Sequence, residues 1–100
     1  MNVLPPVDRE QLASLCRRRH VRKLSLFGSR LKGAARPDSD VDLLIEFEQG
    51  ARPTLLDLAE IEIELSELFG GVRVDLRTPQ ELSRYFRDQV VSEALVQYAA

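Results

Sequence analysis

Two stretches of this chain carry residue types from which a reactive site can be built. In Asp40-Val41-Asp42-Leu43-Leu44-Ile45, an extended backbone sends alternate side chains to opposite faces. Val41, Leu43 and Ile45 take one face; Asp40 and Asp42 take the other. The run Val72 to Arg77 repeats the pattern, with Val72, Val74 and Leu76 opposed to Arg73, Asp75 and Arg77. If the two runs are neighbouring strands whose apolar faces share a core, Asp75 emerges beside Asp40 and Asp42. Carboxylates gathered in this way repel, which raises the pKa of at least one. A hard divalent cation removes that penalty, and Mg²⁺ favours a few carboxylates together with phosphate oxygens.

Upstream, Gly28-Ser29 stands where a strand ends and a helical turn is expected to begin. Glycine lets an anion approach the backbone closely, and exposed N–H groups at a helix start favour phosphate. Ser29 can donate to a terminal phosphate, and Arg30 and Lys32 can neutralise more of its charge. A triphosphate held there would reach over carboxylate-bound metal. Each residue also has a plainer reading. Asp40 and Asp42 would serve as a polar strand start, Asp75 as an exposed strand residue, and Arg30 and Lys32 as surface cations. Asp38 reads as a turn residue, and Arg36, Arg73 and Arg77 have no assigned role.

The elements that must position these residues follow from periodicity and end signals. Asp8 caps a first helix, with Val7 placed to pack on Leu12; Leu12, Leu15 and Cys16 form its apolar stripe. Arg17 to His20 ends it, where cations meet the negative end of the helix dipole. Val21 to Phe27 reads as a strand, Ser29 to Lys32 as a short turn closed by Gly33, and Asp40 to Phe47 as a second strand. Thr54 with Asp57 opens the longest helix through a capping box, and Gly70-Gly71 closes it. Leu58, Ile61, Leu65, Leu68 and Phe69 share its core face. Leu56 and Ile63 lie off that stripe and hint at a second packing surface. Val72 to Arg77 is the third strand. Thr78-Pro79-Gln80-Glu81 is another capping box, after which one or two helices are expected to reach Tyr98, with Val91, Leu95 and Tyr98 toward the core. The fold class is therefore α/β (α+β): a short mixed sheet with helices mainly on one face and the other face free.

One hundred residues suit a single domain, 1–100, with one core. Nine basic residues against two acidic ones in positions 1–36 face one basic against ten acidic in 37–72. Such asymmetry attracts anions to one region and cations to the other, though most of these charges read as solvated helix faces. A lone Cys16 excludes an internal disulfide and suits a reducing cytoplasm. His20, the sole histidine, leaves almost nothing for a zinc centre or a Ser-His-Asp triad. No stretch has the length and apolarity of a membrane span, and Met1 to Pro6 shows no secretory pattern.

Gly28-Ser29, ten residues, then Asp40-x-Asp42 resembles the signature of the DNA polymerase β-like nucleotidyltransferase superfamily. The fuller run from Phe27 to Gly33, with Asp38 to Leu44 and Val74-Asp75-Leu76, looks like its minimal nucleotidyltransferase (MNT) family, from about Val21 to the C-terminal helix. Leu31 stands where alanine is common in relatives. The resemblance implies that fold and two Mg²⁺ ions. Asp40 and Asp42 would be ligands to both ions and Asp75 to the catalytic one, with Gly28 and Ser29 on the β/γ phosphates. It also implies ATP as donor and a HEPN-domain toxin as partner, a tyrosine of which receives AMP, so that the chain acts as antitoxin. No direct nucleic-acid binding is expected, and homo- or hetero-oligomers are both open. A different reading is a non-catalytic antitoxin that neutralises its partner by complex formation. A phosphoacceptor receiver domain also gathers acids at strand ends, but needs a longer chain and a fully parallel sheet.

Overall fold

The computed structural model describes residues 7–28 and 40–100. The expected turn at Ser29 to Lys32, Gly33, and the loop through Ser39 lie outside the described residues. The order is α1 (Arg9–Arg18), β1 (Val21–Phe27), β2 (Val41–Phe47), α2 (Leu55–Leu68), β3 (Val74–Arg77), a 3₁₀ turn (Pro79–Glu81), α3 (Arg87–Glu93) and β4 (Leu95–Ala99). The strands form one sheet in the order β3-β2-β1-β4. β1 runs antiparallel to both β2 and β4, whereas β2 and β3 are parallel. A parallel pair needs a long crossover, and α2 supplies it.

The end signals work as the sequence suggests. The Asp8 carboxylate accepts from the amides of Glu10 (2.9 Å) and Gln11 (3.2 Å). Thr54 and Asp57 exchange their two bonds at 2.8 and 3.1 Å. At the other end of α2, Gly70 and Gly71 adopt φ of +80° and +93°. Their amides reach back to Glu67 O (3.1 Å) and Ser66 O (2.8 Å), the paired closure that satisfies the last carbonyls of a helix.

One apolar layer lies between the sheet and the two longer helices. Val21, Leu24 and Leu26 of β1, Val41, Leu43 and Ile45 of β2, and Val74 and Leu76 of β3 meet Leu12, Leu15 and Cys16 of α1 and Ile61, Leu65 and Phe69 beside α2. The opposite face is not wholly free: Ser25 and its register partner Leu44 are both buried there. Leu56 and Ile63 are exposed, as their positions off the core stripe require.

The basic run at the end of α1 has a use beyond the helix dipole. Arg18 donates to Glu64 of α2 at 2.8 Å, and Arg19 donates to Glu64 at 2.7 Å and to Glu60 at 3.4 Å. These bonds clamp α1 to α2.

The C-terminal expectation needs correction. α3 stops at Glu93, and Leu95–Ala99 is a strand rather than a helix. The Thr78 capping box is present, but it starts a single 3₁₀ turn. Tyr98 does pack against the core, as a strand residue paired with Leu24. Leu95 remains 46% exposed. Without β4, the outer edge of β1 would leave backbone donors and acceptors unpaired, and that demand overrides a weak local preference for helix. The third strand also begins two residues later than expected, at Val74.

Candidate active site

Strand register brings two of the expected acids together. Asp42 on β2 is the direct partner of Asp75 on parallel β3. Neighbouring strands lie about 4.8 Å apart, and partners in register put their side chains on one face. Asp40 precedes β2 and by alternation shares the face of Asp42. On the other side Asp42 is partnered by Phe27, the last residue of β1. The next residue, Gly28, turns the chain across the Asp42 carboxylate.

That turn requires glycine for two reasons. Gly28 has φ +83°, a conformation in which a side chain is strained. A Cβ placed on it would stand 2.9 Å from Asp42 Cγ and 3.1 Å from Asp42 Cβ. The missing side chain is the space in which the carboxylate sits. Backbone and acid are thus in close contact at the point where the expected phosphate cradle begins. Ser29, Arg30 and Lys32 lie outside the described residues, as does Asp38.

Arginines to which the sequence assigns no role occupy the flanking acids. Arg77 reaches both oxygens of Asp75, Nε to Oδ1 at 3.2 Å and Nη2 to Oδ2 at 3.4 Å. Arg73 Nε stands 3.9 Å from Asp40 Oδ2. The signal was present in the alternation of Arg73, Asp75 and Arg77, which shows that all three share a face. Among the described residues, no three His, Cys, Asp or Glu side chains stand close enough together to hold a metal ion in this arrangement. The donor set itself is hard carboxylate oxygen, partly open to solvent, and suits Mg²⁺ in kind.

The turn after β3 belongs to the same constellation. Glu81 Oε1 accepts from Thr78 N and Thr78 Oγ1, each at 3.2 Å. Its other oxygen, Oε2, lies 3.7 Å from Arg77 Nη1. Arg77 therefore sits between two carboxylates, one in the site and one in the turn.

The sheet that carries this glycine corner and these two acids has the fold of solved nucleotidyltransferases. The sequence matches the nucleotidyltransferase domain family over residues 9–97, and the chain belongs to that family. It is 40% identical over 75 residues to protein adenylyltransferase MntA of Thermococcus cleftensis, covering 75% of this chain and 73% of that one. It also superposes on a solved protein provisionally named a minimal nucleotidyltransferase. That match has TM-score 0.70 and 45% identity, and covers 87% of this chain and 86% of the other. The fold extends to a solved complex of a tri-AMPylated HEPN toxin from Shewanella oneidensis with its MNT antitoxin. There the TM-score is 0.62 at 18% identity, with 92% of this chain and 70% of the other covered. No helix among the described residues is long and apolar enough to cross a membrane.

Proposed function

We propose that this nucleotidyltransferase moves AMP from ATP onto a hydroxyl of a partner protein, a tyrosine of a HEPN-domain toxin, and acts as its antitoxin. The observation that carries the chemistry is the register of Asp42 and Asp75 beside Gly28. The protein target rests on likeness to a protein adenylyltransferase and on the fold shared with an antitoxin in complex with an AMPylated toxin.

In this reading Asp40, Asp42 and Asp75 would hold two Mg²⁺ ions, and the bound ions would supply positive charge that lowers the acceptor's pKa and offsets the negative charge of the triphosphate. Ser29 and the Gly28 backbone bind the β/γ phosphates, with Arg30 and Lys32 as further phosphate contacts. Asp75 accepts the proton of the incoming hydroxyl. The acceptor oxygen bonds to the α-phosphorus as the bond to the β-phosphate oxygen breaks, and pyrophosphate leaves. Such chemistry is run by positioning and charge. Leu55, Leu56 and Ile63 on α2 and Tyr85 and Phe86 before α3 are exposed and leave apolar surface for a partner chain to cover.

The test is to incubate the protein with Mg²⁺, ATP and the HEPN protein encoded beside it, then weigh both intact. Gain of one or more AMP units on the partner is the expected result. If no nucleotide is transferred while a stable complex forms, neutralisation is by binding alone. The Asp42→Ala variant makes the same distinction, since an enzyme loses neutralisation but keeps association, whereas a pure binder keeps both.

A further inference from the structure

The geometry points to Arg77 as a positioning residue that competes with the divalent cation for Asp75 and moves onto Glu81 when the cation binds. This inference rests on the reading of the site given above. Arg77 grips both Asp75 oxygens with one edge of its guanidinium, at 3.2 and 3.4 Å, and offers Nη1 to Glu81 at 3.7 Å with the other. A cation that takes an Asp75 oxygen competes with the guanidinium for the same negative charge, so metal uptake at Asp75 loosens the fork. Glu81 gives the released arginine a second anionic partner. The Thr78 cap fixes that partner through Oε1 and leaves Oε2 for Arg77. Arg77, Asp75 and Glu81 are 49%, 39% and 43% exposed, which keeps each ion pair weak enough to exchange.

Substitutions of Arg77 and of Glu81 make opposite predictions, and damage to the fold would not produce opposite signs. Removing Arg77 frees Asp75 and tightens metal binding. Neutralising Glu81 leaves Arg77 with Asp75 alone and weakens it. Glu81→Gln is suited to this because glutamine serves equally in a capping box, so the turn is kept while the charge is lost.

The experiment is titration of Mn²⁺ into the full chain with a non-hydrolysable ATP analogue, read by the paramagnetic resonance of the free ion. Wild type, Arg77→Gln, Arg77→Lys and Glu81→Gln are compared, with melting curves to check folding. Arg77→Gln is expected to bind Mn²⁺ roughly two- to fivefold more tightly and Glu81→Gln more weakly by a similar factor. Arg77→Lys, which keeps the charge but loses the fork, is expected to fall between wild type and Arg77→Gln. Unchanged or weaker binding in Arg77→Gln, or unchanged binding in Glu81→Gln, overturns the proposal while the nucleotide-metal reading stands. Failure of wild type to take up Mn²⁺ overturns both.

Discussion

Asp42 on β2 and Asp75 on β3 are register partners on adjacent parallel strands, so two carboxylates leave one face of the sheet side by side. The pair is separated in sequence by the whole of α2. A shift of one residue in that register would send Asp75 into the core and Leu76 to the surface.

Asp42→Asn and Asp75→Asn keep the side-chain shape and remove the charge. Each is expected to cut AMP transfer by at least about a hundredfold, the scale on which a positioned acid–base or charge-stabilising group acts. Melting temperature should stay close to wild type, because easing repulsion between the two acids offsets the contact with Arg77 that is lost at Asp75. Rate assays beside thermal melts check this, and retained transfer in either variant contradicts the assigned roles.

Gly28→Ala should destabilise the fold by about 1–3 kcal/mol, from the positive φ alone, and lower activity as the new methyl pushes on Asp42. Part of that cost is steric and depends on the acid. In an Asp42→Ala background the same change should therefore cost less than in wild type. Urea unfolding of the four proteins in that cycle measures the difference. Strict additivity would mean that the glycine is required for backbone conformation only.

Glu64 links α1 to α2 and gives the fold an acid sensitivity remote from the site. Burial pushes its pKa up, but the hydrogen bonds from Arg18 and Arg19 outweigh this and hold it below the usual value. A carboxylate depressed in the folded state stabilises above its unfolded pKa, near 4.3. The contribution is lost as pH falls through the lower folded value. Glu64→Gln should cost about 1 kcal/mol at neutral pH, with the share of more exposed Arg18 screened by salt. Below about pH 4 the variant and wild type should converge. Stability curves from pH 3 to 7 test the sign; a gap that widens toward acid contradicts it.

Cys16 is buried in the core, and desolvation pushes its thiol up to about 11 despite the neighbouring Arg17 charge. Native protein at neutral pH should resist thiol reagents, and labelling should follow unfolding in denaturant. Because the folded pKa is raised, the linked stability is complete below the ordinary thiol value of 9.0 and falls as pH rises toward 11. Fast stoichiometric labelling of the native protein would show that α1 opens readily.

Local physics made much of this protein legible from its residues. Asp8, the Thr54–Asp57 box and Gly70-Gly71 mark helix ends because caps act within one turn of the chain. Alternation sorted Asp40, Asp42 and Asp75 from their apolar neighbours because a strand has a period of two. Both signals are short-range. The placement of β3 against β2, the burial of Ser25 and Leu44, and the clamp from Arg18 and Arg19 to Glu64 are decided between segments distant in sequence. So was the fate of Leu95 to Ala99, where the open edge of β1 imposed a strand on residues that read as helix. Arg77 lies at the boundary between the two kinds of knowledge. Its face could be read from the sequence, but its position between Asp75 and Glu81 depends on how tightly the chain turns after β3.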